Sequence, residues 1–233
     1  MQIVLFGVCI ILSYFFGSIP PGVIIVKLMT GQDVRQVGSG RTGGTNAFRA
    51  AGPAAGLLTG LADGFKAAFP VWIATWITGG NHWAEVAAGL SAVLGHIYSI
   101  FLVERIPDGQ GGVQWKFRGG AGGGPSVGAA AGLWFPSLAF ILPVGIFVFF
   151  VIGYASLTTM SFGLTAIAVF TVRAMFFGGP WEHIAYGVAV LILQLWALRP
   201  NIPKLIDGTE RAHSGWAKRR AAHIAAESGG ESK

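Results

Sequence analysis

The sequence predicts an all-α polytopic membrane protein of seven transmembrane helices, with the N-terminus outside, the C-terminus cytoplasmic and Gly-rich cytoplasmic loops. Three observations carry this expectation. The 233 residues are 53% hydrophobic and 11% charged, with a mean hydropathy of +0.61, whereas soluble domains are about one quarter charged. The apolar residues gather into runs near the ~20 residues that cross a bilayer. The 16 Lys and Arg residues cluster mainly in two loops and the C-terminal tail, and positive-inside bias places all three regions in the cytoplasm. The net charge of +6 therefore reports topology, and no nucleic-acid partner is expected. The single cysteine, Cys9, excludes an intrachain disulfide.

In chain order, Ile3 to Val26 is nearly free of charge and forms the first helix, kinked near its end by Pro20-Pro21. No basic n-region or A-x-A cleavage site precedes Lys27, so this start reads as a retained helix rather than a signal peptide. A polar stretch follows, and Ala50 to Ile77 is the second helix. It carries Asp63 and Lys66 on one face, where an inward-facing pair is the economical explanation and a substrate site the alternative. After a short turn at Asn81-His82, Trp83 to Val103 is the third helix, with Gly95-His96 near its far end. Glu104 to Gly124 is a second polar stretch. The apolar expanse from Val127 to Trp196 must cross an even number of times, and two crossings leave too much apolar chain. Four fit, with breaks at Phe135-Pro136, Gly153 to Ser156 and Gly178 to Pro180. The first, about Ser126 to Trp134, is short, and either begins inside the Gly-rich segment or is partly re-entrant. Residues 1–210 thus form a single transmembrane domain, and residues 211–233 a basic cytoplasmic tail, expected to be disordered near anionic headgroups.

The chemistry concentrates in Val37 to Arg49, V-G-S-G-R-T-G-G-T-N-A-F-R, which holds four glycines, three hydroxyls, one amide and two arginines. Glycines let backbone N–H groups turn towards one point, Ser39, Thr42, Thr45 and Asn46 add side-chain hydrogen bonds, and Arg49 adds a charged fork. Such a loop suits a phosphate; a flexible polar connector is the alternative. Neither the nucleotide P-loop pattern nor the dinucleotide fingerprint is present. The second polar stretch ends in K-F-R-G-G-A-G-G-G-P, a second candidate anion cradle. Ser156, Thr158 and Thr159 reach the same membrane face, as do Asn201, Lys204 and Glu210 past the last helix, so one phosphorylated ligand, or two, is expected there. His82, His183, His213 and His223 show no metal-ligand spacing, and no metal or cofactor is expected. No serine–histidine or cysteine–histidine order suggests an acyl-enzyme nucleophile.

Taken in order, G-S-G-x-x-G-x-T-N-x-x-R, D-x-x-K in the second helix, G-H before the second loop, F-[KR]-G-G, S-L and N-I-x-[KR]-L-x-x-G-x-E resemble the bacterial acyl-phosphate:glycerol-3-phosphate acyltransferase family up to about Glu210. The resemblance implies a multi-pass enzyme of the bacterial inner membrane with its active site facing the cytoplasm. It would move a fatty acyl group from acyl phosphate to the 1-hydroxyl of glycerol 3-phosphate, giving lysophosphatidate for phospholipid synthesis without metal or acyl-CoA. The implied partners are acyl phosphate, glycerol 3-phosphate and membrane lipids. Carried over by motif, the catalytic residues are Ser39, Asn46, Arg49, Ser156 and Asn201. The substrate-binding residues are Gly38, Gly40, Thr45, His96, Arg118, Gly119, Gly120, Gly122 and Glu210.

Three positions depart from the family. Ala121 replaces the lysine of G-G-K-G, Leu198 a histidine before the tail asparagine, and Thr159 a serine. A lost charge-assisted hydrogen bond costs ~1.5–3 kcal/mol and a lost general acid–base group ~10²–10⁴-fold in rate. Arg105, Lys116 and Arg118 are the cations nearest in sequence to the lost lysine. The alternative reading is a catalytically impaired membrane relative that binds a phosphorylated lipid or metabolite, and a compensating cation beside Ala121 separates the two. A transporter is the third reading; its broken helices meet at mid-membrane, whereas these glycines lie at the cytoplasmic ends.

Overall fold

A computed structural model describes residues 2–109 and 112–212, together with Ala217, Ala222 and Ile224. The basic tail expected at 211–233, including His213, Lys218-Arg219-Arg220 and His223, lies almost wholly outside the described residues.

The first apolar run forms α1 (Gln2–Ser18) and α2 (Pro21–Thr30), separated where the proline pair interrupts the helix as expected. Pro21 opens α2 and Gly31, at φ 72°, closes it. Helix α3 (Gly44–Thr78) contains one non-helical residue, Gly52, at φ 85° and ψ −175°, a conformation open essentially to glycine alone. The chain doubles back there: Phe48 lies against Gly56, and Gly44 against Gly56 and Gly60. The polar stretch expected to be loop to Arg49 is therefore helical from Gly44 onward, and the long helix begins at Pro53 rather than Ala50.

Asn81 caps α4 (His82–Ile97), its side chain accepting from the Ala84 amide. The second polar stretch then departs from expectation. A 3₁₀ turn at Ile100–Leu102 leads into a hairpin of β1 (Val103–Pro107) and β2 (Val113–Phe117), antiparallel with Glu104 opposite Lys116 and Arg105 opposite Trp115. The rest is helical: α5 (Gly123–Leu133), α6 (Leu138–Phe147) continued by a π turn to Ile152, α7 (Ala155–Phe177), α8 (Glu182–Leu198) and the short α9 (Ile202–Ile206). The breaks fall where Pro136, Gly153 and Gly178-Gly179-Pro180 were read as breaks, and α5 begins inside the Gly-rich segment.

Four stretches among the described residues, Ile3–Thr30, His82–Leu102, Phe135–Ile152 and Ala155–Phe177, are long and apolar enough to cross a membrane, and Glu182–Leu198 is a shorter apolar helix. Large side chains such as Leu28, Trp76, Phe150, Met175 and Phe177 point outward while alanines fill much of the interior. This inversion of the soluble pattern is that of an integral membrane bundle.

Small residues bring the helices together. An added Cβ on Gly128 of α5 would overlap the backbone carbonyl of Gly64 in α3, and one on Gly95 of α4 would overlap the carbonyl of Tyr14 in α1. Helix α5, 11 residues long, spans only about 16 Å at 1.5 Å per residue, roughly half the hydrocarbon thickness. It is buried from Pro125 to Ala131. Tyr186 Oη donates to its Ser126 carbonyl at 2.7 Å, and Gln194 Nε2 to Ser126 Oγ at 2.8 Å.

Overpacking costs about 1–3 kcal/mol, so Gly128→Ala is expected to lower the thermal midpoint of the detergent-solubilised protein. Gly7→Ala, where the added carbon meets nothing within 4 Å, is expected to leave it unchanged or raise it slightly; a scan of both variants by intrinsic fluorescence checks this.

Candidate functional site

The first loop is organised from within by Asn46. Its Nδ2 donates to the carbonyls of Val34 (2.9 Å), Val37 (2.9 Å) and Arg41 (2.8 Å), and its Oδ1 accepts from the Ser39 amide at 3.1 Å. Gly38 and Gly40 take positive φ, 59° and 69°, and let the chain wrap this side chain. Three of the backbone amides expected to converge on an anion are engaged within the protein. Ser39 N–H goes to Asn46, Gly40 N–H to the Val37 carbonyl (3.0 Å) and Thr42 N–H to the Gly119 carbonyl (3.4 Å). Ser39 is exposed and Thr45 half-buried, and the Arg49 guanidinium chain passes Gly38.

The second loop joins the first through ion pairs. Glu104 accepts from Arg118 Nε at 2.7 Å and from Arg35 Nη1 at 3.2 Å. Arg35 also pairs with Asp33 at 2.7 Å, and its hydrogen bonds hold that carboxyl below the usual carboxylate range. Arg118 Nη1 comes within 3.8 Å of where a Cβ on Gly40 would stand. Gly119 and Gly120 lie on His96: the Gly120 amide donates to the His96 carbonyl at 3.1 Å, and a Cβ on Gly120 would overlap His96 Nε2. On its other side His96 Nδ1 lies 3.0 Å from Lys66 Nζ and 3.3 Å from Asp63 Oδ1, while Lys66 pairs with Asp63 at 2.9 Å and donates to the Ile19 carbonyl at 2.6 Å. The pair expected in the second helix is thus a buried triad under the second glycine segment. Gly122, at φ 86°, starts α5 against Ile97 and Val93. Of the cations nearest Ala121 in sequence, Arg118 is engaged by Glu104, Arg105 lies over the Trp115 ring at 5.2 Å, and Lys116 is exposed on the hairpin.

The tail closes the site. Arg41 Nη2 donates to Asn201 Oδ1 and to the Ala197 carbonyl, both at 2.9 Å. Asn201 Nδ2 donates to Glu210 Oε1 at 3.4 Å, and Ser156 Oγ donates to Glu210 Oε2 at 2.8 Å. Burial pulls the Arg41 guanidinium below its ordinary range and the Glu210 charge opposes that; an arginine stays cationic throughout. For Arg49 burial acts first, then the like charge of Arg211, with Glu210 again opposing. Ser39, Asn46, Arg49, Arg118, Gly119, His96, Ser156, Asn201 and Glu210 therefore gather at one end of the bundle. Sequence reasoning did not single out Arg41, the bridge between the first loop and α8, or Glu104, the bridge between the two loops. Their signal was a charge amid glycines or at the edge of a polar stretch, too common to be specific.

A second cluster sits at the other end of α4. His82 Nδ1 lies 2.9 Å and His183 Nε2 3.5 Å from Glu85 Oε2. Residues without metal-ligand spacing in sequence thus come within 4.8 Å of one another. Arg173 Nη1, however, lies 3.1 Å from His183 Nδ1. A guanidinium only donates, so Nδ1 accepts and the proton, assigned from that partner, sits on Nε2 facing Glu85. The lone pair a metal needs is occupied and a cation stands behind the ring. The cluster is an ion-pair network.

The glycerol-3-phosphate acyltransferase family model matches residues 7–208. A glycerol-3-phosphate acyltransferase of Thermus thermophilus is 36% identical over 203 residues, covering 87% of this chain and 92% of its own length. One from Rubrobacter xylanophilus is 35% identical over 209 residues, covering 88% and 94%. Among solved structures, PlsY (YgiH), an integral membrane glycerol 3-phosphate acyltransferase, superposes in its glycerol 3-phosphate form with a TM-score of 0.74 at 30% identity, covering 89% of this chain and 95% of that one. Its lysophosphatidic acid form gives 0.72 at 29%, covering 89% and 94%.

Asn46→Asp keeps size but cannot donate to three carbonyls, so it is expected to destabilise as much as Asn46→Ala, by about 1–3 kcal/mol, in chemical or thermal unfolding. Isothermal titration with Zn²⁺ is expected to give no saturable binding to the wild type at the His82–Glu85–His183 cluster, and measurable binding once Arg173→Ala frees His183 Nδ1 to carry the proton.

Proposed function

The chain belongs to the glycerol-3-phosphate acyltransferase family, and from that premise we propose that it moves a fatty acyl group from acyl phosphate to the 1-hydroxyl of glycerol 3-phosphate, yielding lysophosphatidate for phospholipid synthesis. The observation that carries this reading is the meeting of two glycine segments, the start of α7 and the tail on one arginine-rich site at the end of an apolar bundle. Two phosphorylated substrates, one with a lipid chain, need that combination of cations and adjacent hydrocarbon.

An acyl phosphate is already activated, so positioning and charge neutralisation are the main tasks. The substrate hydroxyl oxygen bonds to the acyl carbon, the bond from that carbon to the phosphate oxygen breaks, and the hydroxyl proton leaves with the released hydrogen phosphate. Arg49 and Arg118 neutralise phosphate charge, with Ser39 as a hydrogen-bond donor and Thr45 beside it. Asn46 fixes the first loop. Ser156, Asn201 and Glu210 hold Arg41 against α8, and His96 with Gly119, Gly120 and Gly122 shapes the second loop. With Arg41, Arg49 and Arg118 present, the changes at Ala121 and Leu198 leave the site cationic.

Seven crossings, with the N-terminus outside and the site on the cytoplasmic side of a bacterial inner membrane, accord with the basic loops and the even number of passes between them. Residues 1–210 act as one transmembrane unit and 211–233 as a basic appendage at the lipid surface.

Phosphate release by the purified protein in lipid, measured with acyl phosphate in the presence and absence of glycerol 3-phosphate, tests the reading. Release is expected to require glycerol 3-phosphate and to fall about 10²-fold in Asn46→Ala, since a misplaced loop costs that order. Saturable binding of glycerol 3-phosphate without any release would overturn the transfer reaction and leave a ligand-binding relative.

A further inference from the structure

The apolar stretch His82–Leu102 is long enough to cross a membrane, and the hairpin starts at the very next residue, Val103. The strands therefore leave the bundle at the level where hydrocarbon gives way to headgroups. Their register sorts the side chains onto two faces, because Val103 pairs with Phe117, Arg105 with Trp115 and Pro107 with Val113. Those six residues share one face, and Glu104, Ile106, Gln114 and Lys116 share the other. The second face is turned to the site, since Glu104 accepts there from Arg35 and Arg118. On the first face Val113, Trp115 and Phe117 are between 46% and 62% exposed. Every residue of β2 is exposed, and a two-stranded hairpin with no apolar surface against it is marginal in water. Burial of the aromatic face from outside the chain would supply what the bundle does not.

Two observations identify the covering surface. Exposed apolar side chains run into the hairpin from a membrane-spanning stretch: Ile100 and Phe101 are exposed, and the Phe101 ring lies 6.4 Å from that of Phe15. Phe15 is itself exposed on α1, within the apolar stretch Ile3–Thr30. Two residues on from Phe101, Val103 stands opposite Phe117. The face is also cationic, for the exposed Arg105 holds its guanidinium over the Trp115 ring at 5.2 Å. Tryptophan and a basic side chain at the end of a span suit the headgroup layer, where amphipathic rings settle and cations meet anionic lipid. A second copy of the chain would instead bring one basic face against another, with none of the six residues acidic.

We propose that this face of the hairpin lies on the surface of the surrounding bilayer, with Val113, Trp115 and Phe117 entering the headgroup layer and Arg105 meeting the phosphates of anionic lipid. Docking there is independent of the acyl-transfer reaction. It makes lipid the backing of the site, because Glu104 stands on the reverse of the same strands together with the two arginines it binds.

The test compares neighbouring residues of opposite faces, both exposed, in the full chain reconstituted in nanodiscs. The single cysteine, Cys9, which is buried, is replaced by alanine, and a spin label is placed through Val113→Cys or Gln114→Cys. Collisions with oxygen, which concentrates in hydrocarbon, and with a water-soluble nickel chelate report depth. The label at 113 is expected to be several-fold less open to the chelate than the label at 114, with the gap widening when phosphatidylglycerol is added to phosphatidylcholine. Equal chelate access at the two positions, as for a hairpin standing in water, overturns the proposal. A gap that grows with the number of copies per nanodisc makes the occupant a second copy, and overturns it too. A gap that neither phosphatidylglycerol nor Arg105→Gln alters overturns the part given to Arg105. Unlabelled protein gives an independent reading: lipids with brominated chains are expected to quench the part of the emission that Trp115→Phe removes, and an unquenched difference overturns the docking.

Discussion

Gly128 lets α5 lie against the α3 backbone at Gly64, and the placement of the second loop follows from that contact. Because α5 is too short to cross alone, it must be wedged among longer helices. Its start is thereby held against the face of α3 that carries Asp63 and Lys66, with Gly124 beside Asp63. The Asp63–Lys66–His96 triad then lies directly beneath Gly120. Hydrocarbon cannot hydrogen-bond these groups, so they bind one another and a stray carbonyl, that of Ile19 at the proline break. A side chain on Gly128 would part the helices and leave that triad short of its packing.

The site shows a division of labour between neutral and charged groups. Neutral donors and acceptors build the walls: Asn46 knots the first loop, Ser156 and Asn201 hold Glu210, and backbone amides close on nearby carbonyls. The carboxylates Glu104 and Glu210 hold arginines near the surface at fixed stations. The arginines gathered there, Arg41, Arg49, Arg118 and Arg211, come from three separate parts of the chain. Assembly of the charge pattern is therefore inseparable from folding, since no single segment carries more than a fragment of it.

The helix breaks were legible because proline and glycine act locally at Pro20-Pro21, Pro136, Gly153 and Gly178, although Pro70 and Pro143 are carried inside α3 and α6. The pairing of Asp63 with Lys66 was legible from spacing and the cost of burying a lone charge. The reversal at Gly52 was not, because its unusual backbone is imposed by the packing of Phe48 on Gly56, a contact visible only once the chain has turned. The hairpin was signalled by the alternation V-Q-W-K-F, but five residues in a polar stretch are too few to compete with a loop reading. Asn46 was singled out as a site residue, and its side chain faces inward; composition cannot tell a residue that binds a ligand from one that binds its own loop. The meeting of His82, Glu85 and His183 depends on α4 and α8 lying side by side, which no spacing along the chain encodes.

The two edges of the first loop are fastened by different means. Towards the hairpin the fastening is the Arg35–Glu104–Arg118 chain of partly exposed ion pairs plus one long amide contact from Thr42 to Gly119. Towards the tail it is the more deeply buried line from Arg41 through Asn201 and Glu210 to Ser156. Exposed pairs are worth little and are screened by salt, whereas buried hydrogen bonds are costly to break. The first loop therefore has one compliant edge and one firmer edge. Rising salt should loosen the hairpin side first, while the tail side keeps its hydrogen bonds.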